Sequence, residues 1–238
     1  MLILACDTSG PSCSAALWQD SRLLAEMTLQ GGSPHAVTML PLVEEILRRT
    51  GKAIQDVDAF ACAVGPGSFT GIRIGVSAVK AMAYATGRPA IGISTLKALA
   101  WPYACCAGTV VCSVLNARNN RIFAAAWQDG QPLLAEANWL DTDFLEALEQ
   151  QLGLITAASQ PALLLAGDVP ATWARAEGSP RPAGLRLAPR SSQLPRAAVI
   201  AELAEQELLA GAAGSPQQLK PQYLSLSQAE RRKAAGHG

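Results

Sequence analysis

The sequence predicts an α/β protein of two lobes built on mixed sheets. Three observations carry this. Apolar runs of strand length, such as residues 2–5 and 57–64, suit strands covered on both faces. Segments with helical start and stop residues lie between such runs. The order strand-strand-strand-helix-strand-helix fills residues 1–105 and returns, more weakly, over residues 106–226. A chain of 238 residues accommodates two lobes of ~100–150 residues each, and its 50% apolar content supplies a sizeable core.

Residues 2–5 form the first strand and end in the turn cluster Asp7-Thr8-Ser9-Gly10-Pro11-Ser12. Residues 13–18 and 23–29 continue an antiparallel meander through the turn Gln19-Asp20-Ser21. Ser33 reads as the N-cap and Pro34 as the first helical position of a helix to Thr50, stopped by Gly51 and kinked at Pro41. Residues 57–64 are a buried strand. A second helix starts near Ser68 or Thr70 and stops at Gly87. Residues 90–93 read as a short strand and 95–104 as a helix. The pattern then restarts, with strands at 109–115, 122–127 and 133–139 and turns at 116–120 and Asp129-Gly130. Asp141 caps a helix to about Leu152, and 162–166 is a strand ending in Gly167-Asp168. Residues 176–195, rich in Pro, Gly, Arg and Ser, read as a long loop, 195–210 as a helix, 220–226 as extended chain and 227–238 as a flexible tail. A period of ~105 residues is far longer than that of solenoids. A duplicated mixed unit of this kind is the lobe of the actin-like (ASKHA, ribonuclease H-like) fold, here with a degenerate second lobe.

Composition narrows the function classes. Nineteen Lys and Arg balance nineteen Asp and Glu, so the chain lacks the basic surplus that a nucleic-acid clamp acting alone requires. Two histidines leave little for His-based catalysis or zinc. The cysteines Cys6, Cys13, Cys62, Cys105, Cys106 and Cys112 form no C-x-x-C pair, which reads as reduced thiols in a cytoplasmic protein. The opening Met1-Leu-Ile-Leu-Ala-Cys6 lacks the basic region of a signal peptide. No apolar run approaches the ~20 residues of a membrane span.

Gly65-Pro66-Gly67-Ser68-Phe69-Thr70-Gly71 is the sharpest motif. It follows a buried strand and opens a helix, the context for anion binding at a helix N-terminus. Its spacing matches neither the dinucleotide loop, the Lys-bearing phosphate loop nor the esterase elbow. Close packing is the competing reading. Asp7, Thr8 and Ser9 at the end of the first strand, with Gly65, Gly67, Ser68 and Asn116, form a candidate weak nucleotide site; a turn Asp bonding nearby amides is the alternative. No second His stands at 39 to make a chelate with His35. Val37, Leu40, Val43 and Leu47 make one apolar stripe on the first helix and Met39, Leu42 and Ile46 another, wider than an ordinary amphipathic face. Small residues Gly71, Gly75, Ala78, Ala81, Ala83 and Ala85 on the second helix allow close approach. The two helices predict a subunit interface, against the alternative of burial under their own lobe. Glu at Leu40 or Val79 should weaken it. The tail Arg231-Arg232-Lys233 is a small basic cluster.

The runs Ile3-Leu4-Ala5-Cys6-Asp7-Thr8, His35 leading to Leu40-Pro41, Gly65 through Gly75, and Gly92-Ile93-Ser94-Thr95-Leu96 resemble the TsaB (YeaZ) family, strongly over about the first 100 residues. The resemblance implies a subunit for threonylcarbamoyladenosine synthesis at the adenosine next to the anticodon of ANN-decoding tRNAs. It implies a noncatalytic paralogue that scaffolds and stabilises the transferase TsaD, joined by the ATPase TsaE. The chain would have no cofactor of its own; ATP and a metal ion serve the partners, and tRNA is met through the complex. The first two helices would supply the contact, through His35, Val37, Met39, Leu40, Leu42, Val43, Ile46, Leu47, Ile72, Arg73, Val76, Val79, Lys80 and Met82. Without TsaD the same surface would form a homodimer. The family's Asp-Ala-Arg turn reads Asn116-Ala117-Arg118 here, and its Gly-Glu reads Asn120-Arg121. Both departures suit a scaffold better than a nucleotide enzyme. The alternative is an actin-fold ATP-binding enzyme, phosphohydrolase or metal-dependent transferase, acting on its own.

Overall fold

Strand β1 (Leu2–Asp7) is the centre of the first sheet, and its sequence shows why. Leu2, Leu4 and Cys6 point to one face, while Ile3 and Ala5 point to the other, and all are buried. β2 (Ser12–Gln19) and β3 (Arg22–Gln30) extend it antiparallel, and β4 (Ala59–Gly65) and β5 (Ala90–Ser94) extend it parallel, giving the order β3-β2-β1-β4-β5. β6 (Thr109–Arg118), β7 (Arg121–Gln128), β8 (Gln131–Leu140), β9 (Ala162–Gly167) and β10 (Leu185–Leu187) form a second sheet in the order β10-β9-β6-β7-β8. Read from β8, it repeats the first strand for strand, with the same parallel and antiparallel pairs. This is the two-lobed actin-like arrangement that the sequence pattern predicts. The computed structural model describes residues 1–31, 33–155, 161–168, 184–212 and 214–224, without the side chains of 154 and 155.

Helices α1 (His35–Thr50) and α2 (Phe69–Thr86) lie side by side on one face of the first sheet. Phe60, Cys62 and Val64 of β4 meet them there. The other face of β4 carries only Ala59, Ala61 and Ala63. Those small residues admit α5 (Ala197–Leu209), whose Ala197, Ala198, Ala201 and Ala204 press against them. Glu205 anchors α5 by accepting hydrogen bonds from Trp18 Nε1 (2.9 Å) and from the Ser21 amide (3.1 Å). In the second lobe α4 (Asp141–Ile155) covers one face with Phe144, Leu145 and Leu148. The short α3 (Thr95–Ala100) covers the other with Leu96 and Leu99.

Several expectations change. Pro34 is the N-cap of α1, with ψ at 140°, and His35 is its first helical residue. α3 ends at Ala100 and tightens into a 3-10 turn over Trp101–Tyr103, because Pro102 cannot donate the next helical hydrogen bond. β6 runs on to Arg118, leaving only Asn119 and Asn120, both at positive φ, as a tight hairpin turn. The 176–195 loop contains β10 and a 3-10 turn at Arg190–Ser192; its residues 176–183 lie outside the described part. Residues 225–238, with the basic cluster, also lie outside it. Within residues 106–226, α5 packs on the first sheet, and Leu219 joins the core beneath α1 and α2. Among the described residues no helix is long and apolar enough to cross a membrane.

Candidate functional site

A cleft of about 890 Å³ opens between the lobes. The β1–β2 turn, the loop at Pro66–Ser68 and the first turn of α2 form its first-lobe wall. The end of β6, Phe123 and Asp168 form the opposite wall, and Gln222–Leu224 close one side.

The glycine motif builds the first wall by close approach. A Cβ at Gly71 would lie 2.0 Å from the Thr8 carbonyl oxygen, and one at Gly67 would lie 2.4 Å from that of Ser9. Such distances exclude any side chain. The Ser68 amide donates to Ser9 O (2.7 Å) and Thr8 Oγ1 donates to Gly71 O (2.7 Å), locking α2 onto the turn. Ser68 also caps α2, its Oγ accepting from the Gly71 amide at 3.2 Å. The packing reading therefore accounts for these glycines.

The candidate nucleotide residues separate into two groups. Ser9, Gly67, Ser68 and Asn116 line the cleft; Asp7, Thr8 and Gly65 are buried behind it. The Asp7 carboxylate is thus held inside the fold, where it bonds the turn that follows it. Asp7 Oδ1 accepts from Ser9 Oγ (2.6 Å) and the Ser9 amide (3.2 Å), while Oδ2 is buried without a hydrogen-bond partner. Burial pushes the Asp7 carboxyl up to about 6, against the opposing pull of the Ser9 bonds and the nearby His35. His35 Nε2 makes a 3.0 Å hydrogen bond with the Gly10 carbonyl, tying the start of α1 to the same turn. In the second lobe Asn116 Oδ1 accepts from the Arg118 amide (2.7 Å), and the Asn116 amide donates to Asp168 Oδ2 (3.0 Å). Among the described residues no group of three or more His, Cys, Asp or Glu is placed to hold a metal.

Sequence reasoning gave no site role to Phe69, Tyr223, Arg118 or Asp168. Phe69 and Tyr223 stack with ring centroids 4.8 Å apart. Arg73 lies 3.9 Å over the Phe69 ring and donates from Nε to Tyr223 Oη at 2.8 Å. This clasp, with the Gln222 amide on Val64 O (2.7 Å), holds the C-terminal segment against the mouth of α2. Arg73 and Tyr223 are too far apart in sequence for any local pattern to join them. Asp168 did have a signal: it directly follows β9, the strand that holds in the second sheet the place β4 holds in the first.

The predicted interface residues also divide. Met39, Leu42, Val43, Ile46, Leu47, Ile72, Val76 and Val79 are buried in the first-lobe core. Both stripes of α1 thus face mainly inward, and a charge at Val79 would test folding, not docking. Val37 (63% exposed), Leu40 (48%) and Arg73 point outward, with His35, Lys80 and Met82 half-buried. Tyr84, 51% exposed, joins them one helical turn beyond Lys80, a spacing that could have revealed it.

Comparison with known proteins agrees with this architecture. Residues 28–142 match the family model described as TsaD: tRNA N6-adenosine threonylcarbamoyltransferase. The chain is 37% identical over 131 residues to the tRNA threonylcarbamoyladenosine biosynthesis protein TsaB of Escherichia coli, a match spanning 54% of this chain and 55% of that protein. It is 29% identical to the Bacillus subtilis TsaB over 234 residues, 97% and 96% of the two chains. The solved structure of YeaZ from Pseudomonas aeruginosa superposes with a TM-score of 0.73 at 30% identity, covering 94% of this chain and 99% of that one. With one architecture shared along nearly the whole length of that structure, the chain belongs to the TsaB (YeaZ) family.

Proposed function

We propose that this chain is a noncatalytic subunit for threonylcarbamoyl transfer to the adenosine next to the anticodon of ANN-decoding tRNAs, and that it acts by docking on TsaD and stabilising it. The observation that carries this reading is the outward face of α1 and α2. Val37, Leu40, Pro41, Ala81 and Tyr84 stay exposed there although the core beneath them is complete. The names of the similar proteins support the pathway. An inward-facing Asp7 and a neutral Asn116 support a scaffold. TsaE joins the pair, ATP and a metal ion serve the partners, and tRNA is met through the assembly. The docked face buries ~1,600 Å² or more, and without TsaD it pairs with a second copy about a two-fold axis.

Co-expression with TsaD tests this. Leu40→Glu and Tyr84→Glu should fold as the parent does and weaken co-purification at least tenfold, about 1.4 kcal/mol. Reconstituted tRNA modification should fall with them. If both variants fold and still co-purify fully, the interface is misplaced. The cleft favours one second reading, an ATP-binding enzyme. Calorimetry with ATP and magnesium decides it, since micromolar binding with turnover by the chain alone would replace the scaffold reading.

A further inference from the structure

We infer that Cys105 and Cys106 form an exposed vicinal dithiol, a site that closes reversibly to a disulfide with a low-molecular-weight disulfide oxidant. The inference is independent of the function proposed above. All six cysteines are free, and they fall into two classes. Cys6, Cys13, Cys62 and Cys112 are buried. Burial pushes the thiols of Cys6 and Cys112 up to about 12 and that of Cys13 up to about 11, and holds Cys62 well above its ordinary value. A thiol reacts as its thiolate and only where a reagent can reach it, so these four are protected twice.

Cys105 and Cys106 are exposed, on the crossover that carries the chain from the first lobe into β6. The backbone there is not a strand. The Cys106 amide donates to Tyr103 O (3.0 Å), the Ala107 amide to Cys105 O (3.0 Å) and the Thr109 amide to Cys106 O (3.1 Å). In a strand, successive side chains would point to opposite faces. These consecutive turns take the pair out of strand geometry, and both residues are exposed. Adjacent Cα atoms lie about 3.8 Å apart, closer than the ~4.4–6.8 Å usual for bridged cysteines. The bond is therefore strained and easily reduced, the character of a labile disulfide.

The reaction balances without a further reagent. One thiolate attacks the oxidant's S–S bond, forms a mixed disulfide and expels one small thiol. The neighbouring thiolate then attacks the protein sulfur of that mixed disulfide and expels the second. The two cysteines lose two electrons and two protons overall, and the oxidant leaves as two thiols.

The full native chain provides the test. Ellman's reagent should find two fast thiols, with the other four appearing only on unfolding. One equivalent of phenylarsine oxide, which needs two neighbouring thiols, should block both fast ones. Oxidised glutathione should remove two hydrogens by mass, reversibly with dithiothreitol. Cys105→Ser and Cys106→Ser should each keep one fast thiol, lose arsenical protection and gain a glutathione adduct. Fast thiols elsewhere, an unprotected pair, or glutathione adducts on the parent chain without closure would each overturn the assignment.

Discussion

At Asp7 the fold holds an ionisable carboxyl out of water with one oxygen unpartnered. Its proton is held up to about 6, against an ordinary value near 3.9. Between those values the native state binds the proton and the unfolded state releases it, so stability falls as pH rises through this window and levels off above it. The shift corresponds to about 3 kcal/mol. Asp7→Asn keeps an acceptor for Ser9 and removes the ionisation. Its advantage in urea unfolding should grow from nothing below pH 4 to about 2–3 kcal/mol above pH 6; parallel pH profiles for the two proteins would refute this. The sequence shows Asp7 at the end of a buried strand before a turn. It does not show that α1, through His35 and Gly10, closes over that turn. A carboxyl's surroundings come from chain far from it, so its burial was not legible.

For helices, the spacing of apolar residues states which side chains share a face, not how much of that face another element covers. α1 shows this: Met39, Val43, Ile46 and Leu47 reach the core from both stripes, while Val37 and Leu40 of the first stripe do not. The sheet beneath is wide enough to accept a broad apolar face. The α2 start was more legible, because Ser68 and the glycines act locally. Gly71 decides between two effects. Alanine in place of a helical glycine gains about 1 kcal/mol in propensity. A Cβ 2.0 Å from a backbone oxygen cannot be relieved by rotating a side chain, and overpacking of this kind costs about 3 kcal/mol or more. Gly71→Ala should therefore lower the urea midpoint clearly; an unchanged or higher midpoint would show that the turn yields. β10 was missed because three residues carry too little periodicity to stand out from a Pro- and Gly-rich stretch.

Over the whole molecule, the lobes are not consecutive pieces of chain. α5 comes after the second sheet but covers Ala5, Ala16, Ala61 and Ala63 of the first. A fragment of residues 1–105 lacks that cover and would expose one face of β1 and β4. It should show no cooperative thermal transition, whereas the full chain should show one. A fragment melting as sharply as the full chain would mean that α5 adds little. The repeated strand order, the hairpin turns at Asp20-Ser21 and Asp129-Gly130 and the glycine stops of α1 and α2 could all be read from residues a few positions apart, because cap, turn and pleat chemistry is local. The inward Asp7, the Arg73–Tyr223 clasp and the return of α5 depend on contacts made across long stretches of chain. Such contacts form when apolar surface buried in the assembled fold outweighs the entropy of closing those loops, a balance that belongs to the packed molecule and leaves no local mark.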